Sequence, residues 1–259
     1  MKLGKQKKIH FPLFFVTVYF LFKSYALSHS GKDFSELFLS DNNIFDYENI
    51  KNLIVFGSHY PIDFIKQYEL FYERMSHGKK YFDQWNGTNT LFAIYLGAND
   101  INDVNYINNN KTINENLSDI INIMFKKIEN MYEVGGRNFM ILNVFPIDLA
   151  PVNDSGKYNY YKEEVLYFNS LLSEKSKTLF NKYSNINVIV YNTHEEYKYI
   201  LRNSIKFNFK FINKMCKFNR KNKRRNCNKY FWYDRTHITK KGNTILAEDI
   251  NELLKSINK

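Results

Sequence analysis

Short apolar runs that alternate with amphipathic segments are the feature that most constrains the fold of this chain. The runs have the length of buried strands and occupy residues 53–56, 91–96, 139–145 and 186–191. The segments between and after them carry apolar residues three and four positions apart, over Phe64–Met75, residues 114–134, residues 163–180 and Lys240–Ile257. This order predicts an α/β domain with a parallel sheet.

The charge of the chain is weak support for nucleic-acid binding. The net charge is +11, but the first 26 residues contribute five lysines and no acid. A dense basic run at residues 217–225 resembles a nucleic-acid patch, yet it lies between two cysteines and is interpreted as a solvated loop tip. A basic nucleic-acid-binding protein is therefore the weaker alternative, because no nucleic-acid-binding motif accompanies the charge.

The N-terminus is typical of a secretory signal peptide. A lysine-rich start precedes an apolar run at residues 11–22, and small residues up to Ala26 suit a signal peptidase. The run is shorter than the roughly 20 residues of a transmembrane helix. We therefore expect a signal peptide over residues 1–26 and one secreted domain over residues 27–259, with no stable membrane anchor.

The two cysteines agree with an extracellular location. Cys216 and Cys227 lie close together in a polar stretch, and in an oxidising compartment they would close a small ring worth about 3 kcal/mol. No paired histidines accompany them, so no zinc site is predicted. Glycosylation sequons, which fit a secreted glycoprotein, lie at Asn86, Asn110, Asn116 and Asn153.

Three polar segments lie where a parallel sheet places its functional site. Ser58 follows the first strand, Asn99 follows the second, and Asp234 and His237 precede the last helix. An ester hydrolase needs a nucleophile, a base, a group that orients the base, and oxyanion donors. Asp234 can hold one ring nitrogen of His237 while the other faces Ser58, and the Asn99 amide can donate to an oxyanion. His59 is not preferred as the base, because neighbours on a turn usually point apart.

Two sequence blocks carry a resemblance to a known family. Leu-Gly-Ala-Asn-Asp-Ile at residues 96–101 and Tyr-Phe-Trp-Tyr-Asp-Arg-Thr-His-Ile-Thr at residues 230–239 resemble blocks of the SGNH/GDSL hydrolases, especially fungal secreted esterases of the carbohydrate esterase family 16 type. The resemblance runs from about Phe34 to the C-terminus. It implies a three-layer α/β/α flavodoxin-like fold without a cofactor. It also implies that His237 is the base, Asp234 its orienter and Asn99 an oxyanion donor.

The front half departs from the family pattern. The family's first block reads Gly-Asp-Ser, whereas this chain has Gly57-Ser58-His59, and no glycine-rich second block is found in residues 60–90. The pattern indicates a deletion, either a real truncation or an error in the gene model, that removes the second strand, which lies at a sheet edge in this family. Ser58 is then either the nucleophile or a serine brought to the junction. Ser76 and Ser118 are less suitable, because both lie in predicted helices.

Together these observations predict a secreted, monomeric ester hydrolase that acts on acyl or acetyl esters, such as those of plant polysaccharides. Ser58 would attack, and its backbone N–H would assist Asn99 at the oxyanion. The alternative is a truncated, catalytically impaired relative that only binds carbohydrate. Trp85 is expected in the core, whereas Trp232 and Tyr233 flank the site and could equally pack or contact a ligand.

Overall fold

The computed structural model describes residues 35–43, 45–57, 62–153, 162–217 and 226–257. The strands are β1 Glu36–Phe38, β2 Asn52–Gly57, β3 Thr90–Tyr95, β4 Asn138–Leu142, β5 Asn187–Tyr191, β6 Phe211–Met215 and β7 Tyr230–Trp232. The α-helices are α1 Phe64–Met75, α2 Ala98–Asp103, α3 Ile113–Val134, α4 Lys162–Lys182, α5 Thr193–Arg202 and α6 Lys240–Ile257. The predicted signal peptide lies outside the described residues. None of the described helices combines the length and apolarity needed to cross a bilayer.

The central sheet has the order β1-β5-β4-β3-β2. Strands β2 to β5 are parallel to one another, as predicted, and their central residues align across the sheet, with Phe56 opposite Ile94, Ile94 opposite Ile141 and Ile141 opposite Val190. Strand β1 was not predicted and runs antiparallel to β5. The α/β prediction is therefore confirmed, with one antiparallel edge strand added.

Helices cover both faces of the sheet. Helices α1, α3 and α4 pack on the face that contains Phe92 and Phe139, and both of these side chains are fully buried. Helices α5 and α6 pack on the opposite face, around Ile189 and Tyr191. Because both faces are buried, β3, β4 and β5 are continuous apolar runs rather than alternating ones. The result is a three-layer arrangement.

Strand β2 is an edge of the sheet within the described part of the chain, since β3 is its only strand neighbour there. Ile54 and Phe56 are 4% and 1% exposed on the face under α1, whereas Leu53 is 37% exposed. This agrees with the predicted loss of one edge strand. An open edge with an apolar side chain is a surface on which other chains can pair.

Three buried asparagines join the amino ends of β4 and β5. The Nδ2 groups of Asn43 and Asn187 both donate to Asn138 Oδ1, at 3.0 and 2.8 Å. Asn138 Nδ2 in turn donates to the Gly87 carbonyl at 2.8 Å, and the Ser40 N–H donates to Asn187 Oδ1 at 2.8 Å. We call Asn43, Asn138 and Asn187 the asparagine cluster. Its mutual hydrogen bonds offset the cost of burying polar groups.

Strands β6 and β7 form a small parallel pair that is fastened by a disulfide. Cys216 and Cys227 are bonded, with their Cα atoms 5.4 Å apart, so the predicted bridge is confirmed. The Cys216 N–H donates to the Trp232 carbonyl at 2.9 Å, which ties the ring to the end of β7. Most of the basic run, residues 218–225, lies outside the described part of the chain.

Candidate active site

Asp234 and His237 form a compact hydrogen-bonded pair between β7 and α6. His237 Nδ1 lies 2.8 Å from Asp234 Oδ2 and 2.9 Å from Oδ1. The backbone N–H of His237 donates to Asp234 Oδ1 at 2.8 Å, and that of Thr236 donates to the same oxygen at 2.9 Å. One short turn therefore fixes both the carboxylate and the ring. The His237 side chain is 76% exposed.

The electrostatics of this turn favour an ionised Asp234. Partial burial acts to raise the pKa of Asp234, but hydrogen bonds from the N–H groups of Thr236 and His237, and from the His237 ring, outweigh burial and bring the pKa below its ordinary value. An ionised carboxylate at Nδ1 selects the imidazole tautomer that carries the proton there. Nε2 is then left as the basic atom.

Asn99 lies in the first turn of α2, directly beyond the carboxyl end of β3. Gly97, the N-cap of α2, has φ +114°, a conformation that favours glycine. A Cβ atom at this position would overlap the Phe168 ring and lie 2.8 Å from Val144 Cγ2. Gly97 therefore allows the chain to turn tightly against α4 and to present Asn99 at an exposed position.

The two site segments adjoin the same stretch of chain, residues 143–153, which leaves the carboxyl end of β4. Gly97 packs against Val144 at the beginning of this stretch. Near its end, the Val152 N–H donates to the Arg235 carbonyl at 2.9 Å. Asn99 and the Asp234–His237 pair therefore lie at the carboxyl edge of the sheet, where sites of open α/β folds are found.

The predicted nucleophile, Ser58, lies outside the described residues, as does His59. Gly57, which precedes Ser58 in the sequence, is the last residue of β2 and is paired in register with Tyr95 at the end of β3. Tyr95 is half-buried at this edge, and burial raises the pKa of its hydroxyl. The other serines weighed from the sequence differ in placement, since Ser76 caps the end of α1 and Ser118 is within α3.

The structure shows the burial of three aromatic residues singled out in the sequence. Trp85 is 7% exposed and donates its Nε1–H to the Met75 carbonyl, so its assignment to the core is confirmed. Trp232 is fully buried and donates to the Ile212 carbonyl at 2.7 Å, so ligand contact by Trp232 is excluded. Tyr233, in contrast, is 45% exposed beside Asp234.

Sequence reasoning missed a polar link between β4 and β5 at this edge. Asn143 accepts the His194 N–H at 2.9 Å and donates to Asn192 Oδ1 at 3.0 Å. His194 is 4% exposed, and its burial lowers the pKa of the imidazole. The sequence contained a signal for the helix that carries His194. Asn192 is the N-cap of α5, and Tyr197, Ile200 and Leu201 follow it at helical spacing.

Within the ranges that the structure describes, no group of three or more His, Cys, Asp or Glu side chains has the arrangement of a metal site. The arrangement at the carboxyl edge supplies an imidazole held by a carboxylate, at Asp234 and His237, and a separate side-chain amide, that of Asn99, at an exposed position. Such a pair of features suits nucleophilic chemistry at a carbonyl group.

Comparisons with known proteins agree with this arrangement. Residues 42–250 match the family described as GDSL-like Lipase/Acylhydrolase. A stretch of 67 residues is 34% identical to a protein named acetylesterase from Thermothelomyces thermophilus. That stretch covers 26% of this chain and 21% of the relative, so the chain spans only about a fifth of the curated relative that it matches.

The family match extends over most of the chain and includes every strand from β2 to β7 and the first part of α6. The resemblance expected from residues 96–101 and 230–239 is thereby confirmed. The chain belongs to the GDSL-like lipase and acylhydrolase family.

Proposed function

We propose that this protein is a secreted, monomeric esterase that removes acyl groups, acetyl above all, from hydroxyl groups of a carbohydrate. The observation that carries the proposal is the hydrogen bond between Asp234 and His237 at the sheet edge that also presents Asn99. The domain would comprise residues 27–259 after removal of residues 1–26.

In the proposed mechanism Ser58 is the nucleophile. Its Oγ attacks the ester carbonyl carbon while His237 Nε2 takes the hydroxyl proton, and Asp234 stabilises the imidazolium through Nδ1. The Asn99 amide and the Ser58 N–H stabilise the oxyanion. His237 then returns the proton to the departing alcohol. Water attacks the acyl-serine through the same base, which releases the acid and restores the hydroxyl.

An acetyl ester is the proposed substrate because the relative from Thermothelomyces thermophilus is named acetylesterase. A small acyl group also fits a site whose proposed base, His237, is 76% exposed at the surface. Tyr233 is 45% exposed beside Asp234, and contact of its ring with a sugar is part of the proposal.

A second candidate is a catalytically impaired relative that keeps the fold and binds carbohydrate. The observation that favours it is the position of β2 at the edge of the described sheet, together with the absence of the family's second block from the sequence. That block supplies an oxyanion N–H in the resembling enzymes. Loss of one such donor costs about 100- to 1000-fold in rate.

The two candidates are separated by hydrolysis of 4-nitrophenyl acetate. The esterase proposal expects weak turnover by the wild type that vanishes in both Ser58→Ala and His237→Ala. Matched controls are Ser118→Ala and His77→Ala, which change the same residue types away from this edge and should retain wild-type rates. Equal rates for wild type, both site variants and buffer would leave the impaired relative as the answer. Full activity of Ser58→Ala alone would show that Ser58 is only a junction serine.

Secretion is tested separately by mass spectrometry of protein from the culture medium. The proposal expects a mature N-terminus near residue 27. Glycans should occur at Asn86 and Asn110, which are exposed, and not at Asn116, which is 6% exposed and donates to Asn109. Protein that retains Met1, or that stays inside the cell, would contradict this localisation.

A further inference from the structure

Two lysines converge on Asn208 next to the start of β7. Lys229 Nζ donates to the Asn208 side-chain oxygen, and Lys241 Nζ donates to the Asn208 carbonyl at 2.9 Å. Lys241 Nζ also lies 4.4 Å from the centroid of the Phe209 ring. Burial, and after it the charge of Lys229, lowers the pKa of the Lys241 ammonium. The two positive charges therefore repel each other, and neutral oxygens hold them in place.

Two further lysines extend this positive group. The Lys210 N–H donates to the Lys229 carbonyl at 2.8 Å, which places Lys210 beside the start of β7. Lys206 precedes Asn208 by two residues and donates to the Tyr199 hydroxyl at 3.2 Å. Three of the four lysines are exposed, and Lys241 is half-buried. The lysine surface is defined as Lys206, Lys210, Lys229 and Lys241.

No carboxylate balances the lysine surface within the part of the chain that the structure describes. Residues 205–233 contain no Asp or Glu at all, and none of the described ion pairs includes a lysine of this surface. Other lysines do have such partners: Lys182 lies 2.7 Å from Glu129, and Lys255 lies 2.9 Å from Glu252. Positive charge concentrated without a counter-charge attracts an anionic ligand.

Strand β7 connects the lysine surface to the proposed base. Lys229 directly precedes β7, and Asp234 follows it, so the step between these two residues can span at most about 18 Å. The chain that returns from His237 lies against the strand, because the Thr239 N–H donates to the Phe231 carbonyl at 2.8 Å. An extended ligand that contacts the lysine surface can therefore also reach the exposed ring of His237.

We propose that the lysine surface binds the carboxylates of an acidic polysaccharide, a chain that contains uronate sugars, and directs the esterase to acyl groups on that chain. The inference rests on the proposed function, because that function makes a carbohydrate the partner rather than another polyanion. The half-buried rings of Phe211 and Tyr230 follow Lys210 and Lys229 in the chain and stack with their centroids 4.5 Å apart. They add apolar surface for the faces of sugar rings.

The test measures binding of the full secreted protein to polygalacturonate, with neutral xylan as the comparison polymer. Binding is measured at about 0.01 M and about 1 M salt, where the screening length is about 30 and 3 Å. One triple variant removes the three exposed charges of the lysine surface: Lys206→Gln, Lys210→Gln and Lys229→Gln. The matched control removes three exposed charges on the side of the molecule formed by α1, α3 and α4: Lys79→Gln, Lys126→Gln and Lys177→Gln.

We expect the wild type to bind polygalacturonate at least about tenfold more tightly than xylan at low salt and to lose this preference at high salt. The lysine-surface variant should lose about tenfold in affinity for polygalacturonate, and the control variant less than about twofold. Equal losses in the two variants would mean that only net charge matters and would overturn the inference. Tighter binding of the wild type to duplex DNA than to polygalacturonate would overturn it in favour of a nucleic acid.

Activity separates this inference from the proposed function. With acetylated polymers, the ratio of kcat/KM for polygalacturonate to that for xylan should fall about tenfold in the lysine-surface variant and stay at the wild-type value in the control. An unchanged ratio in an active lysine-surface variant would overturn the inference. If the wild type releases no acetate from either polymer or from 4-nitrophenyl acetate, the proposed function fails, while the binding comparison still decides whether the lysine surface recognises an acidic chain.

Discussion

His237 Nδ1 and Asp234 Oδ2 lie 2.8 Å apart across a turn of three residues, and the same carboxylate accepts the backbone N–H of His237. The carboxylate therefore restrains both the ring and the main chain of the proposed base. In Asp234→Asn the amide cannot serve as an ionised acceptor. We expect kcat for 4-nitrophenyl acetate to fall at least about tenfold, with KM nearly unchanged. Wild-type kcat in this variant would contradict an orienting role.

The lowered pKa of Asp234 predicts how this pair responds to acid. A carboxyl group whose pKa is lower in the folded than in the unfolded state stabilises the fold above its unfolded pKa of about 3.9. That stabilisation is lost as the pH falls through the folded-state pKa. Melting temperatures of wild type and Asp234→Asn should therefore differ by a constant amount from pH 7 to 5 and converge only below about pH 4. Equal melting temperatures of the two proteins already at pH 6 would contradict a lowered pKa of Asp234.

Gly97 is predicted to be intolerant of any side chain. Gly97→Ala combines a positive φ with overlap against Phe168 and Val144, and we expect it to lower the free energy of unfolding by about 3 kcal/mol. Gly78→Ala is the matched control, since Gly78 has φ +73° but no atom within 4 Å of the added Cβ. It should cost about 1 kcal/mol. Equal losses in urea unfolding would show that crowding at Gly97 has no effect.

The disulfide is predicted to contribute measurably to stability. Its ring spans 11 residues in sequence separation, for which loop-closure entropy gives about 3 kcal/mol. The double variant Cys216→Ser with Cys227→Ser should therefore unfold at a lower urea concentration, and reduction of the wild type should produce the same shift. An unchanged midpoint in both experiments would mean that the ring does not restrain the unfolded chain.

The open edge at β2 is predicted to limit solubility during refolding. Leu53→Lys places a charge on this edge, where Leu53 is 37% exposed, and should reduce light scattering after dilution from urea. Leu166→Lys is the control, because Leu166 is 46% exposed on α4 away from the edge. An equal effect of both variants would point to net charge rather than to strand pairing.

The regular part of the fold was predictable from periodicity. Helix α6 occupies the predicted range, and the parallel strands differ from their predicted bounds by only a few residues at the ends. The strands could be predicted because burial on both faces makes them continuous apolar runs. Strand β1 was not predictable in this way. It has three residues, none of them buried, and it forms only because β5 offers an edge to pair with. Local pattern contains no information about such a partner.

The candidate site was predicted unevenly. Asp234 and His237 are close in sequence, so their contact follows from local geometry. The hydrogen bond from Gln67 Nε2 to the Gly57 carbonyl joins a helix to a strand end, and nothing in the pattern of α1 distinguishes Gln67 from its exposed polar neighbours. Trp232 was left open between packing and ligand contact. The pairing of β7 with β6 buries its ring, and that pairing depends on the approach of two segments.

The asparagine cluster helps to fix the register of β4 and β5 at the end of the sheet opposite to the candidate site. A shift of β4 against β5 by one residue would put Asn138 and Asn187 on opposite faces of the sheet and break the hydrogen bond between their amides. The free-energy cost of a wrong register would thus be larger here than for a slip between purely apolar strands. Because β3 to β5 are rigidly aligned from that end, the positions at which Tyr95 and Leu142 finish are determined too. The carboxyl ends of these strands, where the proposed reacting groups lie, are therefore positioned in part by amides at the far end of the sheet.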